Sequence, residues 1–157
     1  MSDYEKARQV LGDIVERMGI AADIRVHEEA DRVRLEIVCD EPDRLVGRKG
    51  QTLDALQHLV GKIVFRGRTL GQAGAPQRPI VVDAGGYRDR HAARLRELAA
   101  KLAEQALARG RPVAVEPMSA HDRRIMHMAL ADVAGVTTRS EGEGDERHMW
   151  IVPVAQE

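Results

Sequence analysis

Apolar and charged side chains alternate strictly between residues 33 and 37, and this limits the possible folds more than any other sequence feature. In an extended chain the apolar residues of this segment point to one side and the charged residues to the other, which predicts a strand buried on one face. Residues 24–26 repeat the pattern, so the two segments predict a hairpin. Apolar residues at helical spacing flank it on both sides: Ala7, Val10, Leu11, Ile14, Val15 and Met18 before it, and Leu53, Leu56, Val60 and Ile63 after it.

Residues 1–84 are predicted to form a first domain in the order helix, strand, strand, helix, helix, strand. A short helix opened by Asp40 and Pro42 precedes the helix that carries Leu53. A Gly/Pro-rich loop is predicted over residues 67–79, and the apolar run "PIVVDA" predicts the closing strand.

Residues 85–157 are predicted to form a second domain of a long helix, a short strand, a helix and a β-hairpin. The long helix, "YRDRHAARLRELAAKLAEQALARG", is expected to place Leu95, Leu98, Leu102 and Leu107 near its buried side. Ser119 and Asp122 have the S-x-x-D spacing of a helix start, in which each side chain accepts a hydrogen bond from the other residue's backbone N–H. The whole chain therefore predicts an α+β fold in two domains.

Positive charge is concentrated in the middle of the chain. The net charge is −1, which by itself disfavours a nucleic-acid partner. Residues 44–68, however, carry six Lys/Arg and one Asp, and residues 69–111 carry eight Lys/Arg and four Asp/Glu. The two flanking segments are acidic, at −6 for residues 1–43 and −4 for residues 112–157. The distribution of charge therefore leaves a polyanionic partner open.

The stretch "LVGRKGQTL" places Gly47 and Gly50 around two cations, Arg48 and Lys49, at the start of a helix. Glycine allows a tight turn and lets a ligand approach the backbone. The helix that begins at Gln51 directs unpaired N–H groups and a positive dipole end towards the same place. This combination suits a sugar-phosphate backbone, whereas a G-x-x-G taken alone is more often a solvated surface turn.

This loop, in its predicted setting between two helices, resembles the KH domain, whose G-x-x-G loop grips about four nucleotides of single-stranded nucleic acid. The element order αββααβ is similar to the type II form found in bacteria. The resemblance implies that Gly47, Arg48, Lys49, Gly50 and Gln51 bind nucleic acid.

Arg123 and His127 are four residues apart and share one face of the predicted helix "SAHDRRIMHMALAD". Such a pair is often a solvated face, or an arginine paired with a nearby acid beside a packed histidine. Between a long helix and a hairpin, however, it resembles the R-three-H domain, named for this Arg-x-x-x-His spacing. That resemblance implies that Arg123 contacts phosphate and that His127 stacks on or hydrogen-bonds to single-stranded nucleic acid.

The KH and R-three-H order, together with "DAGGYRDRH" and "SEGEGDERHMWIVP", resembles the Jag (KhpB) family of bacterial RNA-binding proteins. This resemblance implies a cytoplasmic post-transcriptional regulator or RNA chaperone that binds single-stranded RNA or single-stranded DNA. It also implies a heterodimer with a small KH-only protein. His91 stands where the family more often has an arginine, and the Jag-N domain of many members is not seen here, so contacts tied to that domain are not expected.

The alternative function is that of a protein-interaction adaptor in cell-envelope or cell-division regulation, with little direct RNA contact. No enzyme, metal or cofactor is predicted, because the chain has one cysteine and lacks H-x-x-x-H spacing and a Walker A motif. The lone Cys39 is expected to fill the core. No apolar run approaches the ~20 residues that cross a bilayer, so membrane insertion is not expected.

Overall fold

A computed structural model describes residues 1–66, 68, 72–73 and 78–154 of the chain. These residues form two compact units, Met1–Tyr87 and Arg88–Glu157, and each is described by itself. Most of the loop predicted over residues 67–79 lies outside the described residues. Within the described part, none of the helices combines the length and the apolar character needed to cross a membrane.

The first unit has the predicted element order, with a 3₁₀ turn at the glycine loop. Its elements are α1 (Asp3–Arg17), β1 (Asp23–Glu28), β2 (Val33–Val38), α2 (Asp43–Val46), the 3₁₀ turn Arg48–Gly50, α3 (Gln51–Phe65) and β3 (Ile80–Ala84).

One three-stranded sheet supports this unit, in the order β1-β2-β3. Strand β1 is antiparallel to β2, which is parallel to β3. The apolar side chains of β2 are buried together with those of α1 and α3, as the alternation predicts. Cys39 is half-buried and packs against this core.

The apolar stripe of α3 ends differently from the prediction. Ile63, expected to point inward, has an exposed fraction of 40%, whereas the neighbouring Val64 is 1% exposed. Val64 continues the four-residue step from Val60, and such a step keeps a side chain on the same helix face. The prediction for Ile63 was therefore wrong by one position.

The second unit also has the predicted order. Its elements are α4 (Tyr87–Arg109, beginning at the last residue of the first unit), β4 (Val113–Ala114), α5 (Ala120–Leu130), β5 (Val136–Glu141), the 3₁₀ turn Gly144–Glu146 and β6 (His148–Pro153). The strands form an antiparallel sheet in the order β4-β6-β5. Met149 and Ile151 of β6 enter a core with residues of α4 and α5. On the other face of β6, Trp150 lies 5.8 Å from the guanidinium of Arg139.

Alanines, not leucines, form most of the buried stripe of α4. Leu95, Ala99, Ala103 and Ala106 are buried, whereas the exposed fractions of Leu98 and Leu107 are 40% and 45%. At 100° per residue, Leu98 and Leu107 each lie about 90° from the centre of that stripe. The prediction that these two leucines lie near the buried side was wrong, because the helix packs on its core through the side that carries the alanines.

Candidate nucleic-acid interface

The glycine loop takes its shape from an unusual backbone. Gly47 has φ 70° and ψ −173°, a region that is open essentially only to glycine. Lys49 has φ 54° and ψ 29°, and Gly50 has φ 77° and ψ 10°, so both adopt the left-handed conformation. For a lysine this conformation is uncommon. The loop is therefore the tight turn that the two glycines predict.

The side of each glycine on which a Cβ would stand is filled by the protein itself. A Cβ on Gly47 would lie 2.9 Å from the Cβ of Thr52 and 3.0 Å from its backbone nitrogen. A Cβ on Gly50 would lie 2.8 Å from Cε1 of Tyr87. The expectation that the missing Cβ atoms open the backbone to a ligand is therefore wrong on these two sides, because the glycines admit Thr52 and Tyr87.

The two cations of the loop are presented to solvent. Arg48, Lys49 and Gln51 are exposed, whereas Gly50 is buried. Within the described ranges, neither Arg48 nor Lys49 forms an ion pair. Gly50 is the N-cap of α3 and supplies no side-chain hydrogen bond to the first turn of that helix. The loop therefore gathers two exposed positive charges beside the positive end of a helix dipole.

Arg123 is held by backbone carbonyl groups of the second unit. Its Nη1 donates to the carbonyl oxygen of Met118 at 2.6 Å and to that of Arg147 at 3.4 Å. The side chain is half-buried, and it links the segment before α5 to the residue before β6. The alternative that Arg123 pairs with a nearby acid is not what the structure shows, because these acceptors are carbonyl groups.

His127 lies one turn further along α5 and is exposed. Its Nδ1 is hydrogen-bonded to Oγ1 of Thr138 on β5. This bond fixes the orientation of the imidazole and leaves Nε2 as the atom that can meet a ligand. The structure thus joins both residues of the Arg-x-x-x-His pair to the hairpin region.

His91 also contributes to the second unit. Its Nε2 lies 2.9 Å from Oδ2 of Asp122, and the side chains are 21% and 16% exposed. The N–H of Asp122 donates to Oγ of Ser119 at 3.2 Å, which confirms half of the predicted helix start. The Asp122 carboxylate contacts His91 on α4, so it links two helices in addition to any local role.

Sequence reasoning missed Tyr87 and Thr138, which support the loop and His127 respectively. Tyr87 lies 37 residues after Gly50 and Thr138 lies 11 residues after His127, so neither contact belongs to a local pattern. The quoted motif "DAGGYRDRH", which contains Tyr87, was the available indication. Across the part of the chain that the structure describes, no group of three His, Cys, Asp or Glu side chains could hold a metal ion.

Two domain families match the chain. Residues 5–69 match the family described as KhpA/KhpB, KH domain, and residues 93–153 match the R-three-H domain. These matches cover the glycine loop and the Arg-x-x-x-His helix.

Three curated relatives are each called RNA-binding protein KhpB. The chain is 34% identical to the Clostridium symbiosum protein over 149 residues, which are 94% of this chain and 64% of that protein. It is 34% identical to the Bacillus subtilis protein over 149 residues, or 69% of that protein. It is 29% identical to the Streptococcus pneumoniae D39 protein over 140 residues, only 40% of that protein's length. With a KH domain followed by an R-three-H domain, the chain belongs to the KhpB family.

Proposed function

We propose that this chain binds single-stranded RNA and acts as a post-transcriptional regulator or RNA chaperone in the cytoplasm. The observation that carries this proposal is the pair of exposed cations, Arg48 and Lys49, on a tight loop at the N-terminus of α3. The relatives' printed name, RNA-binding protein, supports it.

The loop is suited to phosphate for electrostatic reasons. Two cations without an ion-pair partner among the described residues can neutralise phosphates without first breaking an internal contact. Each neutralised phosphate releases condensed counterions, so affinity falls as salt rises. The α3 N-terminus adds N–H groups that face an anion. Gly47 and Gly50 allow the backbone shape of the loop, and Gln51 is the first residue of α3.

The Arg-x-x-x-His pair supplies a second contact in this proposal. Only Nη1 of Arg123 has acceptors among the described residues, so Nε and Nη2 keep N–H groups for a phosphate. The imidazole of His127 is exposed and oriented by Thr138, so it can stack on a base or hydrogen-bond to it. If one strand contacts both groups, the second contact gains from a high effective concentration.

Fluorescence anisotropy with labelled oligonucleotides tests this function. The full chain is titrated with single-stranded RNAs of increasing length, with the matching single-stranded DNA, and with an RNA duplex, at two salt concentrations. We expect the single strands to bind more tightly than the duplex, affinity to rise with length, and affinity to fall at the higher salt. Absent binding contradicts the proposal and favours the protein-interaction adaptor, whereas equal binding to single strand and duplex contradicts the preference for single strands.

A heterodimer with a small KH-only protein is a further part of this proposal, supported by the match to a domain family described as KhpA/KhpB. Sedimentation of the chain mixed with such a protein tests it. A one-to-one complex supports the heterodimer, whereas independent sedimentation at micromolar concentration contradicts it.

A further inference from the structure

The connection between β3 and α4 lies against both ends of the segment that carries the glycine loop. A Cβ on Gly85 would lie 3.0 Å from Cβ and Cγ of Pro42, the residue that begins α2. A Cβ on Gly50, at the end of the loop, would lie 2.8 Å from the ring of Tyr87. Gly85 therefore lies against the start of α2, and Tyr87 lies against the end of the loop.

Sequence-local hydrogen bonds of the loop backbone run from the N–H of Gly47 to the carbonyl oxygen of Asp43 and from the N–H of Gln51 to that of Arg48. Helix α2 has only four residues, and its N-cap makes no side-chain hydrogen bond. Within the loop, the N–H of Gly50 reaches the carbonyl oxygen of Gly47 at 3.5 Å, which is long for a hydrogen bond. Lys49 is in the left-handed region at φ 54°. A backbone of this kind persists only when its surroundings impose it.

Tyr87 is part of the surroundings that hold this backbone. Its Cε1, hydroxyl oxygen and Cζ lie 2.8, 3.2 and 3.3 Å from the position that a Gly50 Cβ would take. The ring is half-buried and packs against the core of the first unit. Because the phenol end of the ring lies directly on Gly50, its removal would leave space on the side of this glycine that a Cβ would occupy.

The ring is carried by a turn whose shape comes from two glycines outside the loop. Gly85 and Gly86 have φ values of 61° and 69°, so the chain turns through two left-handed residues immediately after β3. Residues with a Cβ rarely adopt two such conformations in succession. Tyr87 follows this turn directly and is the first residue of the 23-residue helix α4. The turn thus places its ring at the loop, close to the end of β3.

We propose that Tyr87 is a positioning residue, whose ring holds the glycine loop in the conformation that presents Arg48 and Lys49 to RNA. The RNA part rests on the proposed function, whereas the positioning of the loop does not. Without the ring the loop opens more often, and RNA binding must then restore order in the loop. Affinity falls although neither cation has been changed.

Amide hydrogen exchange tests the positioning without RNA. Tyr87→Leu removes the ring but keeps apolar bulk, and Tyr87→Phe keeps the ring. The matched control is Tyr4→Leu, because Tyr4 is also half-buried against the same core but hydrogen-bonds to Arg78. We expect exchange at the hydrogen-bonded amides of Gly47 and Gln51 to accelerate about tenfold in Tyr87→Leu relative to amides of β2. We expect little relative change in the other two variants.

The result that overturns the proposal is equal relative exchange of the loop in Tyr87→Leu and Tyr4→Leu. If Tyr87→Leu does not fold, Tyr87→Met replaces it, and the same comparison applies. The RNA arm then measures affinity. A loss of about fivefold for Tyr87→Leu and of less than twofold for Tyr87→Phe supports the proposal. Equal RNA affinities of wild type and Tyr87→Leu contradict it. If the wild-type chain does not bind RNA, the proposed function fails, while the exchange arm still decides the role of Tyr87.

Discussion

The glycine loop and the Arg-x-x-x-His helix differ in whether backbone or side chains determine the local structure. In the loop, Gly47 and Gly50 define the shape, and the two cations extend into solvent. In α5 the backbone is a regular helix, and Arg123 and His127 hydrogen-bond to neighbouring parts of the second unit. In the proposed function, the first site separates the residues that determine its shape from those that contact RNA, whereas the second uses the same residues for both.

This difference determines how each motif responds to substitution. A change at a loop cation should alter binding alone, and a change at a loop glycine should alter stability first. A change at Arg123 should alter both. Substitutions at both motifs test this contrast.

Gly47→Ala should cause the largest loss. The methyl group would meet Thr52, and alanine would have to adopt a backbone region nearly restricted to glycine. We expect the free energy of unfolding to fall by about 2 kcal/mol or more. Urea unfolding measures this fall, with Gly61→Ala as the control. Gly61 lies within α3 with nothing near its Cβ position, so this control should stabilise the chain by up to about 1 kcal/mol. Equal effects at the two glycines would contradict the account.

The charge reversal Arg48→Asp with Lys49→Asp should reduce affinity for single-stranded RNA about tenfold or more, because two phosphate contacts become repulsive. The salt dependence should become shallower by about 0.7 per lost contact. The melting temperature should stay the same, because both side chains are exposed. Anisotropy and a melting curve on the same preparation provide the check, and unchanged affinity in a folded variant argues against the loop as the binding site.

Arg123→Ala should destabilise the second unit by about 1–3 kcal/mol, because the carbonyl groups of Met118 and Arg147 lose a charged donor. Arg124→Ala is the matched control, since Arg124 is its exposed neighbour on α5 and should change stability by less than about 0.5 kcal/mol. Chemical denaturation measures both variants. If the two variants are equally stable, the carbonyl contacts of Arg123 do not contribute to the fold.

His127→Ala should have the smallest effect. The exposed imidazole loses one hydrogen bond to Thr138, so the unfolding free energy should fall by no more than about 1 kcal/mol. The advantage of long RNAs over short ones should shrink several-fold, because the second contact is lost, while short RNAs bind as before. The oligonucleotide length series gives this readout. An unchanged length dependence would show that His127 does not contact RNA.

The order of helices and strands followed from sequence because periodicity is a local property. Val33, Leu35 and Ile37 are buried on the face that their alternation predicts. The errors arose at positions whose burial depends on how closely the helices pack. The buried alanines of α4 could not be chosen over Leu98 and Leu107 without knowing how closely that helix packs.

At the candidate site, the exposure of side chains could be predicted from sequence, whereas their supporting contacts could not. The exposure of Arg48 and Lys49 follows from a cationic turn between helices. The contacts of Tyr87 with Gly50 and of Asp122 with His91 join residues more than thirty positions apart, and no spacing rule covers them. Sequence thus predicts which side chains of the candidate site are exposed better than it predicts the contacts that hold them in place.

A two-dimensional amide NMR titration of the 157-residue chain with a short single-stranded RNA tests the central claim most directly. The account predicts saturable shifts concentrated at residues 47–54, and these shifts should weaken with salt and require at least about tenfold more RNA to saturate in the Arg48→Asp, Lys49→Asp variant. Saturable binding that leaves the amides of residues 47–54 unmoved would contradict it.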